Sequence, residues 1–187
     1  MKRLFCIGDS NTWGYDPRSF FGDRYPEEIR WTGILKRHGY DAVNLGANGA
    51  RIPVERDYPY LLRTLSSFEP KDLCFLLLGS NNLLEGESAD QAALKMKRLL
   101  QFLLSYHFPL LLGAPVVMKP GAWVEGDEMI RQSRCLAELY AGIARECGIP
   151  FADSRDWNVD LAFDGVHFSE KGHQAFARGL CSVLETL

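Results

Sequence analysis

LFCIGDSNTWG, residues 4–14, opens on four apolar residues and runs through Gly8-Asp9-Ser10 to a second glycine at Gly14. A short apolar run that stops at a glycine and a cluster of small polar residues reads as a strand delivering its chain into a turn. Because the run is continuous rather than alternating, it predicts a strand buried on both faces, as in a parallel sheet. The stretch also raises a question about Ser10. Either the turn merely joins two elements, or the serine is presented there for chemistry.

The same pattern recurs along the chain. Apolar runs at 3–8, 41–45, 72–78, 108–113 and 149–152 read as strands. Helical spacing occupies about 30–39, 57–67, 89–106, 128–147 and 169–186 between and after them. In the third of these, Ala92, Met96, Leu99, Leu100 and Leu103 form one stripe, the face of a helix lying on a sheet. Ser169 reads as the N-terminal cap of the last helix. Alternating β and α elements predict an α/β fold: a parallel sheet of about five strands with helices on both sides. With 187 residues, 47% of them hydrophobic, the chain can bury one sizeable core and is expected to form a single domain over 1–187. Two longer connections, 14–29 and 114–127, read as loops.

Charge and cysteine use narrow the function classes. Twenty-one Lys and Arg against 24 Asp and Glu leave a net charge of −3, which gives no electrostatic ground for nucleic acid or an anionic membrane as partner. Lys95, Lys97 and Arg98 sit in a helical pattern and read as a solvated face. The first apolar run ends at Asp9, too short for a signal peptide, and no stretch of about 18 apolar residues occurs, so the expected location is cytoplasmic. Five widely spaced cysteines without a C-x-x-C pair suggest neither a disulfide framework nor a metal site. Cys6 and Cys74 lie in strand-like runs and read as small buried hydrophobes. No cofactor is implied.

In open α/β sheets, ligands sit outside the carboxyl ends of the strands. There this chain collects Gly8-Asp9-Ser10, Gly46-Ala47-Asn48-Gly49 and Gly79-Ser80-Asn81-Asn82, and the last connection carries Asp164-Gly165-Val166-His167. A serine hydroxyl is a poor nucleophile without a positioned base. His167 can be that base, and Asp164, three residues earlier, can accept from its other ring nitrogen. Backbone N–H groups at Ser10 and Gly46 and the Asn81 side chain can hold an oxyanion. Taken singly, Ser10 could be a turn or cap residue, and Asp164 with His167 a surface pair or half a metal site, though no second His or Cys cluster completes a zinc set.

Taken together, four blocks in order resemble the SGNH hydrolases, the GDSL esterase/lipase family: GDSNTWG at 8–14, NLGANG at 44–49, GSNN at 79–82 and DGVHFS at 164–169. The resemblance spans nearly the whole chain. It implies a flavodoxin-like three-layer α/β/α sandwich and cofactor-independent ester hydrolysis. It also implies Ser10 as nucleophile, His167 and Asp164 completing the triad, and Ser10, Gly46 and Asn81 forming the oxyanion hole. Two positions depart from the family pattern, Asn11 in place of its name-giving leucine and Asn82 in place of an aspartate. The TWG of the first block and RWTGIL at 30–35 are similar to the small arylesterase and acetyl-ester hydrolase branch. The substrate implied is a small-molecule, short-chain carboxylic ester, including acetyl groups on carbohydrates. A thioesterase or lysophospholipase, and a non-catalytic binding module that kept the cleft, remain alternatives, and the oligomeric state is open.

Around this site, Trp13, Tyr15, Trp31, Trp123 and Trp157 fall in or near the edge loops and are candidates for a pocket wall, Trp13 and Trp123 first. Asp9 reads chiefly as an anchor of the strand-to-helix turn, and it and Asn82, in the corresponding turn of the third block, are further candidates for the pocket. His173 is expected to face outward from the last helix, while His38 and His107 end helices.

Overall fold

The computed structural model describes residues 3–19 and 21–187. Five strands, β1 (Arg3–Gly8), β2 (Asp41–Gly46), β3 (Leu73–Leu77), β4 (Leu110–Gly113) and β5 (Phe151–Ala152), form one sheet in the order β2-β1-β3-β4-β5. Every pairing is parallel, with Gly8 opposite both Gly46 and Leu77. This is the flavodoxin-like order, whose reversal point lies between β1 and β3.

Beyond Arg3, strands β1, β3 and β4 are apolar because both of their faces are covered, whereas the edge strand β2 carries Asp41 and Asn44. Phe5, Ile7, Cys74, Leu76, Leu110 and Leu112 point into one core, Leu4, Cys6, Leu73, Phe75, Leu77 and Leu111 into the other. The first core is closed by α3 (Tyr58–Thr64), α5 (Ala89–Ser105) and α6 (Asp127–Cys147), the second by α2 (Trp31–Arg37) and α7 (Glu170–Leu184). The result is a three-layer α/β/α sandwich. Helix α5 starts in a capping box, where Ser88 Oγ accepts from Gln91 N and the Gln91 side chain accepts from Ser88 N. Helix α7 starts at Ser169, whose hydroxyl accepts from Gly172 N at 3.1 Å. Among the described residues, no helix is long and apolar enough to cross a membrane.

Three aromatic or histidine expectations are corrected. His173 does not face out but is fully buried, because residues 173, 176, 177, 180 and 184 share one helical stripe against the sheet. Its Nδ1 accepts the Trp31 N–H at 3.3 Å, and Tyr25 and Phe168 meet its ring edge-on. Trp31 is likewise core rather than pocket, packed on Phe75 and Phe176. Trp157 packs against Phe176, close over Gly179.

Candidate active site

The turn after β1 is a single helical turn, α1 (Ser10–Trp13), which continuous strand-and-turn reading does not anticipate. Asp9 caps it, accepting the Asn11 N–H at 3.0 Å, and Gly14 closes it with an N–H to Ser10 O at 2.8 Å. Gly46, at the end of β2, lies directly beneath this turn. A Cβ there would stand 2.2 Å from Trp13 N, so no larger residue lets α1 sit on the strand end. Asn44 fastens the same junction, donating to Thr12 O and to Thr32 Oγ1.

Ser10 Oγ, presented by α1, lies 2.8 Å from His167 Nε2, and His167 Nδ1 lies 2.7 Å from Asp164 Oδ2. The other Asp164 oxygen accepts the backbone N–H groups of Val166 and His167, both at 2.9 Å. One carboxylate therefore sets both the imidazole and the turn that carries it. Burial alone would raise the Asp164 pKa; the bonds from His167 and from the two backbone N–H groups outweigh it and hold the group below 3.8. An ionised carboxylate there favours the His167 tautomer with the proton on Nδ1, leaving Nε2 free to accept from Ser10. All three side chains are buried except for a small opening at Ser10, which is 7% exposed.

The loop carrying Asp164 and His167 is held by the 114–127 connection. Lys119 N donates to Gly165 O, Ala122 N to Phe163 O and Trp123 N to Asp164 O, a short run of strand-like pairing. This contact places the Trp123 ring 4.9 Å from the His167 ring at 82°, with the Trp123 side open to solvent at 51% exposure. Tyr15 contributes a second ring 4.6 Å from His167. Trp13 lies beneath the guanidinium of Arg24.

The remaining site residues fall as follows. Asn81, in α4 (Ser80–Leu84), donates one amide hydrogen to Ala50 O at 2.9 Å. Its second hydrogen has no acceptor among the described residues. Asn82 is buried and acts as a tie: its Oδ1 accepts from Ile52 N and its Nδ2 donates to Glu87, itself paired with Lys95. Gly46 N–H is already bonded, to Asn44 Oδ1 at 3.0 Å. Three residues on, Gly49 turns with φ +71° and its N–H has no acceptor among the described residues. The Asn48-Gly49 pair, a common turn signal, is the feature in the sequence that marks it. Asp9 is buried beside Ser10, and burial pushes its carboxyl up to about 6 against the bonds from Asn11 N and the Ser80 side chain and the nearby His167.

A family model of GDSL-like lipases and acylhydrolases matches residues 6–175, all four sequence blocks included. The chain belongs to this family. Solved structures agree over its full length. An assigned arylesterase from Agrobacterium tumefaciens str. C58 is 29% identical, with TM-score 0.87 and coverage of 100% of this chain and 99% of that one. A carbohydrate acetylesterase family member from Sinorhizobium meliloti is 27% identical, with TM-score 0.82 and coverage of 100% and 98%. The M. smegmatis aryl esterase, 24% identical with TM-score 0.84 and both chains fully covered, shares the fold. No match is found among curated proteins. This GDSL-type chain is a carboxylic ester hydrolase.

Proposed function

We propose that the protein is a serine esterase acting on short-chain carboxylic esters of small alcohols, phenols or sugars through an acyl-enzyme. The observation that carries this reading is the unbroken line from Ser10 Oγ to His167 Nε2 and from His167 Nδ1 to Asp164, at 2.8 and 2.7 Å, on the carboxyl edge of the sheet. Ser10 Oγ attacks the ester carbonyl carbon while its proton passes to His167 Nε2. Asp164 stabilises the imidazolium. Collapse of the tetrahedral intermediate breaks the bond to the alkoxy oxygen, which takes the proton from His167. Water, deprotonated by the same nitrogen, then attacks the acyl-enzyme and releases the acid, returning the proton to Ser10.

The oxyanion is held by the Ser10 N–H and the second hydrogen of the Asn81 amide. For a third donor, the unclaimed Gly49 N–H, one residue from the Ala50 carbonyl that orients Asn81, suits the role better than Gly46, whose N–H is bonded to Asn44. Donors already fixed before reaction stabilise developing charge without reorganising. Tyr15 and Trp123, flanking His167, form an apolar rim that accepts an acetyl, short acyl or aryl group. The named activities of the arylesterase and carbohydrate acetylesterase relatives support this substrate class.

Hydrolysis of p-nitrophenyl acetate, butyrate and octanoate by the native protein and by Ser10→Ala tests it. Rates that fall with chain length and vanish in Ser10→Ala are expected. Fastest turnover of octanoate would favour a lysophospholipase or thioesterase instead, and no turnover of any ester would favour a binding module.

A further inference from the structure

Asn11 follows the nucleophile directly, and its carboxamide is bonded on both sides of His167. Its Nδ2 donates to Val166 O at 3.1 Å and its Oδ1 accepts from Phe168 N at 2.8 Å. One group donating to the carbonyl of residue j−1 and accepting from the N–H of j+1 is the bonding pattern of a residue in a parallel ladder. Here a side chain supplies it, with His167 as residue j. The opposite side of the same segment is held independently, His167 N donating to Asp164 Oδ1 and His167 O accepting from Ala162 N. Asn11 is itself held in place: its N–H donates to Asp9, its carbonyl accepts from Trp31 Nε1 at 3.0 Å, and the residue is buried.

We infer that Asn11 is a positioning residue that sets the register between the nucleophile turn and the histidine loop, fixing the Ser10–His167 separation through the covalent bond between Ser10 and Asn11. The inference rests on the serine-triad reading above. Without Asn11, Asp164 still orients the imidazole relative to its own turn. Among the described residues, the hydrogen bond from that turn to α1 that then remains is the Ser10–His167 bond itself, which spans 157 residues of sequence. Misplacement of a catalytic group by about 1 Å costs on the order of 10²-fold in rate.

The test compares Asn11→Leu, which keeps the branched four-heavy-atom skeleton but has no polar atoms, Asn11→Asp, and Ser10→Ala, using p-nitrophenyl acetate and a p-nitrophenyl phosphonate. For Asn11→Leu the expected result is kcat lower by roughly 10- to 100-fold with KM within about twofold, and phosphonylation of Ser10 slowed in the same proportion. Asn11→Asp gives a signature that a merely structural role would not. A protonated carboxyl reproduces the amide pattern, donating to Val166 O and accepting from Phe168 N, whereas a carboxylate opposes the Val166 carbonyl. Its activity relative to the native protein therefore falls as pH rises. An added negative charge acting only by raising the basicity of His167 gives the opposite trend, recovery at high pH.

In the native protein the Phe168 amide, whose acceptor is Asn11 Oδ1, exchanges slowly with solvent, a measurement that needs no variant to fold. Native kcat in Asn11→Leu, rapid Phe168 exchange, or a relative Asn11→Asp activity that rises with pH overturns the inference. Retained activity in Ser10→Ala instead overturns the triad reading on which it rests.

Discussion

Gly121 lies against the Asp164–Gly165 peptide so closely that a Cβ on it would stand 2.4 Å from both the Asp164 carbonyl carbon and Gly165 N. The 114–127 connection can therefore clamp the loop that carries Asp164 and His167 only with glycine at this point. Backbone on the far side cannot swing away as a flexible side chain would. Gly121→Ala is expected to cost about 1–3 kcal/mol of stability and to lower kcat by at least about tenfold, since the displaced atoms belong to the loop that carries the proposed base and its carboxylate partner. Thermal unfolding and steady-state kinetics on one preparation check both, and a variant with native kcat would show that the clamp does not set the loop.

Asp164→Asn separates charge from shape. If the new carbonyl oxygen keeps the Val166 and His167 N–H groups, the NH₂ group faces His167 Nδ1. His167 must then accept at Nδ1 and carry its proton on Nε2, where it cannot take one from Ser10. A fall in kcat on the order of 10³–10⁴-fold with little change in KM is expected. A loss below about tenfold would mean that the tautomer is set by something else.

Much of this arrangement is legible in the sequence, for identifiable reasons. All five strands appear where short apolar runs predict them, although the run of β2 is broken by Asn44, because a parallel sheet covered on both faces needs no alternation. Helices α5 and α6 match their predicted spans within a residue because their apolar stripes are long. The four-residue α1 is not legible: it is too short to show a period, and its shape is set by the Asp9 cap and by Gly46 beneath it. Polarity alone places His173 outside, whereas its spacing from Phe176, Ala177 and Leu180 puts it on the buried stripe. Trp31 and Trp157 are near the site edge in sequence but turn into the second core, and the chain order alone carries no sign of that. The pairing of residues 119–123 with 163–165 joins two loops with no pattern in common, and only the folded chain brings them together.

Asp9 makes a testable contribution to stability. Its carboxyl, raised to about 6 in the fold chiefly by burial, has an ordinary value of 3.8 in the unfolded chain. Below that value both states are protonated and Asp9 adds no pH dependence. Between about 4 and 6 the unfolded chain ionises first, so stability falls as pH rises, by on the order of 3 kcal/mol in total. Asp9→Asn keeps an acceptor for the Asn11 N–H and removes the titration. The stability difference between variant and native protein should therefore grow in the variant's favour from pH 4 to pH 7. A difference that is flat across that range would contradict the assignment.

His173 acts at the other end of the scale. Burial, with Arg30 nearby, lowers its pKa to about 3 from 6.5. A histidine kept neutral in the fold contributes stability that is fully present above pH 6.5 and is lost as pH falls toward 3, when the unfolded chain takes up the proton first. His173→Phe, which fits among Tyr25, Phe168 and Phe176 but gives up the Trp31 N–H acceptor, should be less stable at pH 7.5 and lose less stability on going to pH 5. Denaturant titrations at the two pH values measure this, and equal losses in native and variant protein would rule out His173 as a source of acid sensitivity.

The proposed function stands on Ser10 forming the acyl-enzyme. The most direct measurement is mass spectrometry of the protein after reaction with a p-nitrophenyl phosphonate, with peptide mapping of the adduct and release of one p-nitrophenolate followed in parallel. Acyl-enzyme formation on Ser10 predicts one adduct per chain, on Ser10, loss of esterase activity in step with labelling, and no adduct in Ser10→Ala. Labelling of another residue, or full labelling of Ser10 with esterase activity unchanged, would contradict it.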